Sequence, residues 1–86
     1  MKIIDYDLRK PGRDYSLLYA ALNRIGAVRV LESSWVTRST SSCAEIRDYL
    51  TLSMDSSDGV FVAELTGSWA SSGISSGITD KVRAGA

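Results

Sequence analysis

Histidine is absent from this 86-residue chain, and cysteine occurs once, as Cys43. Without histidine, neither an imidazole general base nor an imidazole-activated thiol nucleophile can be assembled from the chain's own residues. A single cysteine excludes an internal disulfide framework. Net charge is missing as well: ten basic and ten acidic residues cancel, which argues against a protein that wraps nucleic acid through bulk charge. The longest apolar runs are a few residues, and nothing resembles a signal peptide or a spanning helix, so a cytoplasmic protein with no membrane contact is expected. The Ser/Thr-rich stretch from Ser33 to Ser42 contains no glycine. It therefore reads as turn and cap chemistry and not as a loop whose backbone cradles phosphate.

What is present describes one small domain. At 86 residues and 44 % apolar content the chain is too short for two cores. A domain of this size hides only about 60 % of the surface its unfolded chain exposes, so a partner surface, most simply a second copy, is expected. The charges are unevenly spread. Residues 1–43 carry seven basic and four acidic side chains, +3, and residues 44–86 carry three and six, −3. Seven of the ten basic residues are arginine, whose planar fork suits carboxylate or phosphate; ordinary surface pairing is the plainer explanation.

The periodicities lay out the elements. "KIIDYDL" alternates with a period of two and stops at Pro11-Gly12, which predicts a first strand. "RDYSLLYAALNRIGA" places Leu17, Leu18, Ala21, Leu22 and Ile25 on one helical face, with Asp14 placed to cap the start and Gly26 to end it. "VRVLESSWVTRS" is β-branched but broken at Ser33-Ser34, and is read as two short strands in a tight hairpin. Ser42 and Glu45 have capping-box spacing ahead of Ile46, Tyr49 and Leu50, a second helix. After the turn "DSSDG", Val60–Leu65 reads as a strand. The order βαββαβ in so few residues predicts an α+β, ferredoxin-like sandwich: an antiparallel sheet with two helices on one face over residues 1–66. Residues 67–86 form a short C-terminal extension in which Trp69, Ile74, Ile78 and Val82 are spaced as anchors. Thr79 and Asp80 are expected to start a terminal helix, and the extension to cover the open sheet face or a dimer partner.

A strand ending in "YDL", a helix closing on "RIGAVRV", and "SSWV" before a second helix together resemble the CRISPR-associated protein 2 family and its small stand-alone, SinR-like relatives. The resemblance runs over roughly residues 1 to 66. It implies a ferredoxin-like homodimer with sheets face to face, and a Mg²⁺-dependent nuclease in which strand-end aspartates from two protomers share the cation. Asp7 is the position that carries over as catalytic residue and metal ligand, and Ser34 matches the family's serine near the same cleft. Arg9, Lys10 and Arg13 would then guide a nucleic-acid backbone toward the metal.

Each residue also has a plainer reading. Asp7 can pair with Arg9 or Arg13 in the turn, and Asp5, deeper in the strand, can pair with a basic residue across the sheet. Cys43, opening a helix among serines, reads as a small buried thiol. Trp35 and Trp69 can stack on bases, but core or interface packing is commoner. Three classes of function follow: a dimeric nucleic-acid-associated protein with Mg²⁺-dependent cleavage, an inert protein-binding module of the phage-inhibitor or toxin–antitoxin kind on the same scaffold, or a purely structural dimer.

Overall fold

Alternation along Lys2–Asp7 puts Ile4 and Tyr6 on one side of the first strand and Ile3, Asp5 and Asp7 on the other. In the computed structural model, which describes residues 1–85, this strand is the pivot of the molecule. The elements run β1 (Lys2–Asp7), α1 (Ser16–Arg24), β2 (Val28–Leu31), β3 (Ser34–Thr37), α2 (Cys43–Thr51), β4 (Gly59–Glu64) and α3 (Ser76–Arg83). The four strands form one antiparallel sheet in the order β2-β3-β1-β4. β2 and β3 make the expected hairpin, turned at Glu32 and Ser33, with an irregular register between Arg29 and Leu31. The fourth strand begins at Gly59 and ends at Glu64, one residue earlier at each end than the sequence pattern predicts.

The core lies between one sheet face and two helices. Ile4, Tyr6 and Trp35 from the sheet meet Leu18, Ala21 and Leu22 of α1 and Ile46 and Leu50 of α2. Leu18, Leu22, Leu50 and Ile4 have no exposed surface at all. Leu17, expected on this face, is instead 71 % exposed. It precedes Leu18 by 100° of helix rotation, which carries it off the buried stripe of Leu18, Ala21 and Leu22. The helix ends follow the sequence at Gly26 and at the Ser42–Glu45 box, whereas the N-cap of α1 is Tyr15, not Asp14, and makes no side-chain cap. The Asp14 carboxylate accepts from the Ser16 N–H at 2.9 Å, and Gly26, at φ +69°, turns the chain after α1. Ser42 and Glu45 form a reciprocal capping box at 3.0 and 2.9 Å.

Beyond β4 the chain crosses to the opposite sheet face. There Trp69, Ile74 and Val82 share a cavity with Ile3, Val30 and Val36, α3 packs against β2, and an Arg38 guanidinium N–H donates to the Val82 carbonyl at 3.3 Å. α3 starts at Ser76, not at Thr79. Thr79 lies one turn in and is buried, its hydroxyl donating to the Ser76 carbonyl at 3.1 Å. The extension leaves one end of this face open, the end where β1 finishes and β4 begins. Among the described residues no helix is long and apolar enough to cross a membrane.

Candidate functional site

The open end of the sheet is built from side chains that alternation directs away from the core. Asp5 lies beside Ser34 on β3 and Phe61 on β4, and Asp7 lies beside Gly59. Both aspartates are exposed, although Asp5 lies deeper in the strand than Asp7. The Ser34 hydroxyl donates to Asp5 and not to Asp7. Phe61, directly across from Asp5, is 68 % exposed. A shallow cavity of about 440 Å³ is lined by Asp5, Asp7, Arg9, Ser33, Gly59 and Phe61. A Cβ at Gly59 would stand 2.9 Å from Arg9 Nη2, the far end of a flexible side chain, so the guanidinium lies close over the strand backbone.

The basic segment is folded back onto acids of the chain itself. Arg9 Nε donates to Asp7 Oδ2 at 2.9 Å, its Nη1 to the Ser57 carbonyl at 3.1 Å, and its backbone N–H to Asp58 Oδ1 at 2.7 Å. Lys10 and Arg13 each reach Asp55 at 3.9 Å, and the Arg13 guanidinium stands 5.5 Å from the centre of the Tyr15 ring. Asp58 is the hub. It also accepts from the Tyr15 hydroxyl at 2.8 and 2.9 Å and from the Asp55 N–H at 2.8 Å. Desolvation alone would push its carboxyl up, but the donors from Arg9, Asp55 and Tyr15 together hold it below the ordinary carboxylate value. Asp55 is held low chiefly by the Ser57 hydroxyl and N–H, helped by Lys10 and Arg13. Desolvation and the adjoining Asp58 carboxylate push the Tyr15 phenol up.

The residues expected to act together are therefore divided. Asp7 and Arg9 form one pair, Ser34 joins Asp5, and Lys10 and Arg13 turn toward Asp55. Asp55, Asp58 and Phe61 are additions that the sequence does not single out. Asp55-Ser56-Ser57-Asp58 reads as a turn, and only its opposite sign to residues 9–13 marks it as their counterpart. The aromatics expected near nucleic acid are placed otherwise. Trp35 is 5 % exposed, with its indole N–H on the Tyr6 hydroxyl at 3.0 Å and its ring against Tyr19. Trp69 lies under the Arg83 guanidinium at 5.1 Å, and Cys43 is a half-buried thiol in the first turn of α2.

Whether these donors suit a hard dication can be judged from their chemistry. Magnesium takes about six oxygens in near-octahedral geometry. One chain offers Asp7, whose Oδ2 already holds Arg9, and Asp5, which holds the Ser34 hydroxyl. Among the described residues no group of three or more His, Cys, Asp or Glu side chains converges. A single chain thus brings two carboxylates to this end of the sheet, each already accepting a hydrogen bond. No protein-family model matches the chain, and no solved structure matches it.

Proposed function

We propose that the chain is a small non-catalytic binding module on a ferredoxin-like scaffold, whose open sheet end receives a protein segment carrying an apolar side chain flanked by lysine or arginine. The scaffold reading is supported by the strand order, with β1 between antiparallel β3 and β4 and β2 outermost. The functional reading rests on one observation: Phe61, 68 % exposed, stands directly across from the exposed Asp5 on the neighbouring strand. An apolar ring on a rigid strand is the kind of anchor around which protein interfaces form. Asp7 is already paired with Arg9, so Asp5, which accepts from the Ser34 hydroxyl, supplies the negative charge that favours a cationic partner and opposes a phosphate backbone.

The pairing of Arg9, Lys10 and Arg13 with Asp7, Asp55 and Asp58 supports the same choice. Those cations have carboxylates of their own, and each phosphate contact would have to displace one. In this reading any kinship with the CRISPR-associated protein 2 family extends to the scaffold and not to cleavage.

Amide chemical shifts of the labelled chain provide the test. A peptide of alternating lysine and leucine is expected to move the resonances of Asp5, Asp7 and Phe61. A glutamate–leucine peptide, and single- or double-stranded DNA or RNA at low salt, should leave them in place. Phe61→Ala is expected to abolish the response. No response to the basic peptide, nucleic-acid binding through Arg9, Lys10 and Arg13, or Mg²⁺-dependent cleavage lost in Asp7→Asn would each overturn the proposal.

A further inference from the structure

The two edges of the sheet are treated differently. Each edge strand has a helix packed against it, α3 on β2 and α2 on β4, but β2 is also bent by an irregular register, a common device for keeping an edge from pairing with another chain. β4, at the other edge, has no such irregularity. Its sequence, Gly59-Val-Phe-Val-Ala-Glu64, is regular against β1 along its whole length, contains no proline and no lysine, and carries one charge, at its end. Among the described residues nothing pairs with its outer edge.

The direction of the backbone groups on β4 follows from hydrogen bonds next to it. The Leu65 N–H donates to the Met1 carbonyl at 2.7 Å, so Met1 and Leu65 form a hydrogen-bonded pair, and the alternation of an antiparallel ladder makes Ile3–Ala63, Asp5–Phe61 and Asp7–Gly59 the others. The Tyr6 N–H, donating the opposite way to the Ser33 carbonyl at 3.1 Å, agrees with that alternation. The N–H and C=O groups of Val60, Val62 and Glu64 therefore point outward from the sheet.

We infer that β4 pairs edge to edge, antiparallel, with β4 of a second copy, joining two four-stranded sheets into one. The strand's own composition selects this occupant and fixes the register. A two-fold axis through Val62 sets Val62 against Val62, Val60 against Glu64 and Phe61 against Ala63, so that every outward residue of the strand is paired and no like charges meet. An axis through Phe61 would oppose Asp58 to Glu64, two acids directly across, which is unfavourable. An axis through Ala63 leaves Val60 without a strand partner. The Val62 register also runs Phe61, Ala63 and Leu65 of both copies into one apolar stripe on the open face, where Phe61 and Leu65 are 68 % and 38 % exposed. The pairing uses backbone groups at the edge and stands independently of the peptide partner proposed above.

Light scattering at several hundred micromolar is expected to report twice the 9.3 kDa chain mass. Amide exchange supplies the positional readout. Protection at Val60, Val62 and Glu64 should rise with protein concentration, whereas Phe61 and Ala63, bonded to β1, should be protected at every concentration. In a Cys43→Ser background, Phe61→Cys with Ala63→Cys should oxidise rapidly to a covalent dimer. Opposed residues of a non-hydrogen-bonded pair have Cα atoms about 4.5 Å apart, within disulfide reach. A Leu17→Cys control should oxidise slowly. A monomer at this concentration overturns the inference, and so does a dimer in which those three amides exchange independently of concentration. Cross-linking no faster than the control would overturn it as well.

Discussion

Replacing Tyr6 by phenylalanine removes one oxygen from the core, and the structure sets the consequence. Tyr6 and Trp35 are 8 % and 5 % exposed, and the indole N–H of Trp35 has the Tyr6 hydroxyl, 3.0 Å away, as its acceptor. The hydroxyl itself donates to the Glu32 carbonyl at 3.4 Å. That carbonyl also accepts from Arg29 Nε at 2.9 Å, so it stays satisfied in the variant. The loss is thus one buried donor left without a partner, about 1–3 kcal/mol. For a domain of this size each kcal/mol lowers Tm by roughly 4–8 °C, so the expected drop is about 5–20 °C. Urea denaturation followed by far-ultraviolet circular dichroism measures the free energy directly. Trp35→Phe tests the assignment, because it removes the donor itself: the double variant should be less destabilised than the sum of the singles by about 1 kcal/mol. Tyr6→Phe within about 0.5 kcal/mol of the parent, or strict additivity, would refute the reasoning. The same burial pushes the Tyr6 phenol above its ordinary 10.0, against the opposing effects of the Trp35 bond and Arg29. That contribution to stability is complete below pH 10.0 and is lost as pH rises through the folded value.

Two further expectations are checked by melting curves. Asp55 and Asp58 have folded values below their ordinary 3.8, so their contribution to stability is present above that pH and is lost as pH falls through the folded values. Asp58→Asn should therefore flatten the fall of Tm between about pH 5 and pH 2, and an unchanged acid limb would show that the hub carries none of it. In the helices, Leu50→Ala should destabilise by about 2–5 kcal/mol, whereas Leu17→Ala should stay within about 0.5 kcal/mol. Comparable losses at both positions would place Leu17 in the core after all.

Local chemistry alone determined much of this protein. Period-two alternation in Lys2–Asp7, the Ser42–Glu45 capping box and the Gly26 turn each depend on residues within one turn or one strand, and each occurs where the sequence places it. Tertiary structure decided what depends on neighbours distant in the chain. Leu17 satisfies the helical pattern as well as Leu18 does, but only the packing of α1 against the sheet and α2 determines which of them is buried. Arg9, Lys10 and Arg13 are legible as a basic cluster beside Asp7, yet their partners Asp55 and Asp58 lie more than forty residues away. The antiparallel pairing of β1 with β4 brings the two loops together. Ser34 went to Asp5 because the β1–β3 register sets those two opposite one another. Phe61 reads in sequence as one more core residue of a strand. Its exposure follows from the sheet's having two faces, with the C-terminal extension lying over only part of the second.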